Sequence, residues 1–405
     1  MDRILSIEIN LNQRKNDMRN QIFPAVAVLL AIFALSSCSE DTTTPPANTA
    51  PVISSITPDP ATVGMGLTSS VTCLASDPDS DPITYAWSSS AGTVTGTGST
   101  IIWTAPSAAG SCTISCTVSD GQTTVNDSVI IAVFEPVIPG TMVTVPGGTF
   151  TMGDSYDEGA VEERPLHSVS LDSFRIGKYE VTQSEWAEFM DPAVYDIGSG
   201  DNYPVYSVSW FEIIMYCNLK SMDEGLTPCY TILSSTYPTD WPVVPNYSSD
   251  QSFPAWNAVE CNWSANGYRL PTEAEWEFAA RGGAAYTDDY RYSGGQTVED
   301  LAWFGDNAVN GCQIIGTLLP NQLGLYDMSG NQYEFCWDWF AEDYYMTCNN
   351  QGTVANPTGP VTAEMRVVKG GGWGGTASNC RVAGRVRDYP VSAFNHTGFR
   401  LVRKP

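Results

Sequence analysis

The chain has 405 residues, enough for two or three domains with cores of their own. Nineteen Lys and Arg stand against 45 Asp and Glu, and the net charge of −26 repels nucleic acid and anionic lipid headgroups, so neither is an expected partner of the folded surface. Two histidines are too few for a histidine-rich metal site, and Cys-x-x-Cys zinc patterns are absent.

At the N-terminus, Arg19 and Asn20 precede an apolar run from Ile22 to Leu35. At about fourteen residues it fits the apolar stretch of a signal peptide better than a membrane span. Residues 1–37 are therefore expected to be a signal peptide, with Met18 a candidate true start. Leu35-Ser36-Ser37-Cys38 resembles a bacterial lipobox, in which the cysteine sulfur takes the lipid. The expectation is a cell-envelope lipoprotein held at the outer membrane, at its periplasmic face or on the cell surface. Its contact with the membrane is then through the lipid on Cys38 only. A plain cleaved signal or an anchor helix is the alternative. Residues 38–50 are polar and read as a tether. Removing Cys38 from eleven cysteines leaves ten, an even number that suits disulfides in an oxidising compartment.

Residues 51–135 carry strand and turn signals only. Val71-Thr72-Cys73-Leu74-Ala75 and Ile114-Ser115-Cys116-Thr117-Val118 alternate, and Asp77-Pro78-Asp79-Ser80-Asp81-Pro82 and Ser119-Asp120-Gly121 punctuate. About seven short strands in this length predict an all-β sandwich. The pattern, with Trp87 between Cys73 and Cys116, resembles immunoglobulin-like and polycystic-kidney-disease-type domains of bacterial surface proteins. Cys73 and Cys116 share parity with apolar neighbours and are expected to face the core as an inter-sheet disulfide, with Cys112 a rival partner. Asp77, Asp79 and Asp81 suggest a calcium loop, but Pro82 and Ser88 stand where an EF-hand needs Gly and Glu, leaving a looser loop site or a solvated turn.

Three helices in the remainder announce themselves by capping boxes: Thr182 with Glu185, Ser209 with Glu212, and Thr272 with Glu275. Each opens an amphipathic run, and between them lie short strands and long loops rich in Gly, Trp and Tyr, an α+β pattern. Long loops need staples, for which cysteines and metal ions are the usual means.

Three ordered blocks stand out. They are Gly-Tyr-Arg-Leu-Pro-Thr-Glu-Ala-Glu-Trp-Glu-Phe-Ala-Ala-Arg from Gly267 to Arg281, Gly-Leu-Tyr-Asp-Met-Ser-Gly-Asn-Gln-Tyr-Glu-Phe from Gly324 to Phe335, and Gly-Phe-Arg-Leu-Val from Gly398 to Val402. Together they resemble the formylglycine-generating enzyme family, also called sulfatase-modifying factors, over residues 142–405. The resemblance implies a variant of the C-type lectin fold with few regular elements. It also implies a calcium-binding stretch at Ser329 to Glu334, with Asn331 and Glu334 as oxygen ligands. The alternative makes Asn331 a turn residue and Glu334 the partner of an arginine such as Arg400. Within this frame Cys229 and Cys261 bracket a loop-rich insertion and are expected to pair. Cys336 and Cys380 are expected to pair as well, while Cys217, Cys312 and Cys348 stay unassigned.

The family oxidises a substrate cysteine with oxygen and copper, using two cysteines a few residues apart after a Gly-Gly-Ser block; soft thiolates suit copper(I). Here that block is Gly370-Gly371-Gly372-Trp373-Gly374-Gly375-Thr376-Ala377-Ser378-Asn379-Cys380. Cys380 matches the second cysteine, Gly375 stands in place of the first, and Gly372 in place of the serine. One thiol makes neither a two-thiolate copper site nor a redox pair, so the pattern argues against copper and leaves Cys380 the single catalytic candidate. Iron-binding branches use histidines, but neither His167 nor His396 belongs to a pair, and both read as structural. Neither a Gly-x-Ser-x-Gly elbow nor a phosphate-binding loop occurs. The expected function is a displayed, non-catalytic binding or assembly module. Its ligand would be a protein, peptide or glycan, met by exposed aromatics among Trp241, Trp256, Trp303 and Trp373, and calcium is the one metal cofactor considered. The alternative is a metal-dependent oxidase acting on a cysteine or other thiol.

Overall fold

The computed structural model describes residues 47–405 apart from 136, 194, 246–252 and 285–287. Cys38, the signal segment and most of the tether lie outside the described residues. Among the described residues no helix is long and apolar enough to cross a membrane.

Eight strands build the first part: β1 (Val52–Asp59), β2 (Thr62–Gly64), β3 (Thr68–Ser76), β4 (Thr84–Ser89), β5 (Thr93–Thr95), β6 (Thr100–Thr104), β7 (Gly110–Ser119) and β8 (Thr124–Phe134). They form two four-stranded sheets, in the orders β1-β3-β6-β5 and β2-β8-β7-β4. The period of two is clearest in β7, where Cys112, Ile114, Cys116 and Val118 are buried and the residues between them are half-buried. This is the alternation that closes a sandwich. Cys73 on β3 and Cys116 on β7 meet inside it beside Trp87, which lies opposite Cys116 in register. Cys112 belongs to a separate apolar cluster around Trp103.

The second part begins with β9 (Met142–Val145), β10 (Gly148–Met152), β11 (His167–Leu171) and β12 (Phe174–Gly177). Glu135, on the way in, bonds the Lys178 ammonium at 2.9 Å, and Val137 packs beside Tyr179 and Tyr326. The three expected helices form: α1 (Gln183–Ala187), α2 (Trp210–Asp223) and α3 (Glu273–Ala280). In each the N-cap hydroxyl accepts from the third helical amide, and the glutamate there reaches back to the cap. Such caps are worth about 1 kcal/mol each. Helix α2 buries Trp210, Phe211, Ile213, Ile214 and Cys217 in a cluster with Trp186, Tyr216 and Phe399. Gly225, at a φ of 67°, turns the chain after it, a conformation that favours glycine. A second core gathers Val145, Met152, Phe174, Trp276 and Phe278 around α3.

Short strands β13 (Tyr230–Thr231) and β14 (Glu260–Cys261) pair with each other. Strands β15 (Tyr333–Trp339), β17 (Arg366–Lys369), β18 (Val386–Asp388) and β19 (Thr397–Gly398) form a sheet in the order β18-β17-β15-β19. Helix α4 (Tyr344–Gln351) and strand β16 (Val354–Ala355) lie between β15 and β17, and β20 (Val402–Arg403) closes on β12.

The expected disulfides are corrected here. Among the described residues all ten cysteines are free thiols. Cys73 and Cys116 are hydrogen-bond neighbours across the sandwich without a bond between them. Cys229 donates to the Gly267 carbonyl at 3.3 Å instead of meeting Cys261 in a bond. Cys336 and Cys380 sit in different apolar clusters, one around Trp276 and one around Tyr292 and Phe304.

Candidate ligand groove

A set of buried ion pairs fixes helix α3 and the C-terminal loop in place. Helix α3 is buried on every face, although three of its eight residues are glutamates. Successive glutamates two positions apart point in different directions, and each meets its own cation. Glu273 takes Arg385, with its oxygens 2.7 and 2.9 Å from the guanidinium. Glu275 takes Arg269 through two bonds of 2.6 Å. Glu277 takes the Lys369 ammonium at 3.0 Å, together with Arg281 and the Gly153 amide. Burial alone would raise the Glu277 carboxyl, but Lys369, Arg281 and that amide overrule it and hold it at about 2. A further pair, Arg381 with Glu163, anchors the same C-terminal loop. Lys369, Arg381 and Arg385 thus fasten residues 369–385 to the helix and to the Glu163 turn.

The ends of β15, β17, β18 and β19 and the loop before Thr397 line an open groove of about 310 Å³. Tyr333, His396 and Phe394 form an aromatic ladder along it. The His396 ring stacks on Phe394 with centroids 5.3 Å apart and planes 10° apart, and meets the edge of Tyr333 at 5.7 Å. Phe394 is 47% exposed, although a ring of that size would normally be covered. Arg387 and Asp388 supply opposite charges on the same wall. Burial raises the Asp388 carboxyl, with the Ser392 hydroxyl, the Tyr389 amide and His396 working against it. Burial also lowers His396, opposed by Asp388. The Trp373 indole donates to the Asn395 carbonyl at 3.1 Å and ties the glycine-rich loop to the loop that carries Phe394. Phe394 also lines a neighbouring cavity with Ser207, Glu212 and Val391, so the groove continues past it.

Residues 135–405 match the sulfatase-modifying factor enzyme 1-like domain, and residues 48–132 match a bacterial Ig domain. The chain belongs to the sulfatase-modifying factor family. It is 32% identical over 294 residues to a formylglycine-generating enzyme of Thermomonospora curvata, covering 65% of this chain and 93% of that one. It is 33% identical over 287 residues to the chaperone protein LppX of Paenibacillus barcinonensis, covering 65% and 85%. Among solved structures it is similar to Treponema denticola variable protein 1, at 30% identity and a TM-score of 0.56, over 72% of this chain and 99% of that one.

Within this sulfatase-modifying factor domain, the residues that match the family's chemistry are poor reagents. Cys380 has 0% exposure, packs against Tyr292, Leu301 and Phe304, and is pushed up to about 12 by burial. Its sulfur lies 3.7 Å from the Thr376 carbonyl. A side chain at Gly375 would stand 3.2 Å from the Asn379 side-chain oxygen, so a substituent there requires that loop to give. A copper(I) ion held by two thiolates does not fit this donor set.

Asn331 and Glu334 do not converge on a shared cation position. Asn331, at a φ of 62°, accepts from the Gln313 amide and donates to Glu180. Both Glu334 oxygens are taken by Arg400, and one also accepts from the Trp276 indole at 2.7 Å. The calcium expectation at these two residues is therefore corrected: Glu334 is the arginine's partner, as the alternative held. Among the described residues no group of three or more His, Cys, Asp or Glu could hold a metal ion. Glu180, Asp327 and Glu334 do surround Arg400, three carboxyls against one cation. Burial raises Asp327 to about 6 and raises Glu180 well above the ordinary range, with neighbouring carboxylates adding to the latter shift. Asp77 in the N-terminal domain accepts from the amides of Asp79 and Asp81, the arrangement of a local turn.

His167 is structural: it is buried, packs tilted against Tyr345 with ring centroids 4.5 Å apart and meets the Pro165 carbonyl. His396, read from sequence as structural, instead lines the groove. Trp241 and Trp256 are core residues, whereas Trp303 and Trp373 are half-buried with their indoles bonded. Tyr333, Arg387, Asp388 and Phe394 escaped the sequence reading. For Arg387, Asp388 and Phe394 the signal was a mixed run of aromatic and charged residues just before the final Gly398-Phe399-Arg400 block, whereas Tyr333 lies in the Gly324 to Phe335 block.

Proposed function

We propose that this chain is a cell-envelope lipoprotein, anchored through Cys38, whose sulfatase-modifying factor domain binds a segment of a protein partner without chemistry at Cys380. The observation that carries this reading is the pairing of a fully buried thiol with an open aromatic groove beside it. Burial pushes this thiol up to about 12, which keeps it protonated at neutral pH and disfavours nucleophilic attack. Exposed Phe394 with Tyr333, His396 and Arg387 has the aromatic and arginine composition that dominates protein-binding hot spots. The similarity to a protein named a chaperone supports a polypeptide ligand, and the Ig domain between tether and groove suits display away from a membrane.

The test pans a displayed library of short peptides against the purified protein. Enriched peptides should bind the wild type and lose at least tenfold in affinity to Phe394→Ala. A cysteine peptide incubated with the protein, copper and oxygen should yield no formylglycine, whatever disulfide the copper and oxygen form by themselves. Formylglycine in that peptide would overturn the non-catalytic reading.

A further inference from the structure

The groove at Tyr333 and the cavity beyond Phe394 make one trough. The two halves measure about 310 and 600 Å³, and Phe394 lines both. The charges along it differ in what they are free to do. Strand β18 alternates, so Val386 and Asp388 share one face and Arg387 takes the other. The Arg387 guanidinium sits 4.7 Å over the Phe340 ring and 3.6 and 3.8 Å from Glu342 and Glu162. Phe340, Glu162 and Glu342 line neither half of the trough. Arg387 therefore lends the groove its stem and holds its charge outside.

The carboxylates have no such counterpart. Asp388 accepts from the Tyr389 amide at 2.8 Å and from the Ser392 hydroxyl, and among the described residues no lysine or arginine pairs with it. Glu212, in the other half, accepts from the Ser209 amide and hydroxyl at 2.7 Å through one and the same oxygen, and among the described residues it likewise meets no cation. His396 adds no positive charge at neutral pH, because burial lowers it. Each half of the trough thus holds one carboxylate, and among the described residues neither half has a cation directed into it. Burial raises the Asp388 carboxyl, a cost that a cation bound beside it would relieve.

The aromatic lining favours the same kind of group. His396 covers one face of Phe394, yet Phe394 is still 47% exposed, so its other face is open. Such a face carries negative charge density that attracts an ammonium or guanidinium, while the aliphatic stem of Lys or Arg suits an apolar wall such as Val368, Val386 and Val391. At a net charge of −26 the whole chain draws in the same sign. We infer, on the reading of the groove as a site for a protein segment, that its ligand is a basic stretch of the partner, whose lysine or arginine side chains lie over Phe394 and pair with Asp388 and Glu212. An acidic stretch does not fit, since every carboxylate it brought would face two more.

Fluorescence anisotropy on the whole chain in about 0.15 M NaCl, where long-range attraction is screened, tests this. The probes are fluorescein-labelled Ala-Lys-Ala-Lys-Ala-Lys-Ala and the same peptide with Gln or with Glu at the lysine positions. The lysine peptide should bind at least tenfold tighter than the glutamine peptide, and the glutamate peptide should not bind. Asp388→Asn keeps an acceptor for the Tyr389 amide, and Glu299→Gln removes one charge from an exposed position outside the trough. The first should weaken the lysine peptide at least fivefold and the second less than twofold, although both change the net charge equally. Phe394→Ala should weaken it at least fivefold as well. Equal losses in the two charge variants would overturn the inference, by making the attraction a property of the whole surface. So would equal binding of the lysine and glutamine peptides. Library peptides that depend on Phe394 but carry no lysine or arginine would overturn it and leave the protein-segment reading standing. If no peptide binds through Phe394, both fall.

Discussion

Glu277→Gln removes the carboxylate on which Lys369 and Arg281 both depend, and its cost can be reached by two routes. Lys369 and Glu277 are both 0% exposed at their side chains. Removing one partner of such a pair leaves a buried charge uncompensated, typically at about 3–5 kcal/mol. Separately, a carboxyl held at about 2 in the folded state, against an ordinary 4.5, favours folding at neutral pH by about 3 kcal/mol. The sign follows from the lowered value. Between 4.5 and 2 the unfolded chain binds the proton and the folded one does not, so this stability is complete above 4.5 and is lost as the pH falls toward 2. Urea unfolding at pH 7, followed by tryptophan fluorescence, should therefore place Glu277→Gln about 3–5 kcal/mol below wild type. The gap should narrow as the pH is lowered through 4. Adding Lys369→Met should recover part of the loss, because the stranded ammonium is then gone. A gap below about 1 kcal/mol at pH 7, or one that persists unchanged into acid, would refute this account of the Glu277 ion pairs.

The Arg400 cluster tests the opposite sign. Asp327 is raised to about 6, so the stability it contributes is present below its unfolded value and lost as pH rises through 6; Asp327→Asn should raise the melting temperature at pH 8 and leave it nearly unchanged at pH 4. A chelator should leave the wild-type melting curve in place at pH 7, and a fall on chelation would contradict the reading of this cluster as held by Arg400 and protons alone. Alkylation without reduction should leave Cys336 and Cys380 unlabelled in native protein and label both after unfolding in urea, since both are buried free thiols; a Cys336–Cys380 cross-linked peptide in the map would contradict the structure. Phe394→Ala should change the melting temperature by less than about 2 °C, because surface substitutions stay within about 0.5 kcal/mol, and a larger fall would make Phe394 part of the core.

Local signals carried well from sequence to structure. The capping boxes at Thr182, Ser209 and Thr272 are contained within four residues each, so nothing distant had to be known to place three helix starts. The alternation around Cys73 and Cys116 likewise put both side chains inside a sandwich. Pairing Cys336 with Cys380 failed because chain spacing does not say which apolar cluster a thiol joins: Cys336 packs with Trp276, and Cys380 with Tyr292 and Phe304. The calcium reading at Asn331 and Glu334 failed for a related reason. An oxygen-rich stretch looks the same whether its carboxylate meets an ion or Arg400, and Arg400 is 66 positions away in the chain. The groove was illegible because Tyr333, Arg387, Phe394 and His396 come together only through the strand order β18-β17-β15-β19.

Helix α3 gives the family blocks a meaning that differs from catalysis. Arg269 and Glu275 close on each other within one block, while Glu273, Glu277 and Arg281 of that block meet Arg385, Lys369 and the Gly153 carbonyl, and Glu334 in the second block meets Arg400 in the third, all far off in sequence. A change at any of them strands its partner, so the blocks behave as the joinery of a frame with few regular elements. The rim that meets the outside, from Trp373 through Phe394 to His396, hangs from that frame and carries little of its load. Gly375 can replace a cysteine, and a groove can change its residues, without loosening a joint. Recognisable membership and variable chemistry are in this way two results of the same arrangement.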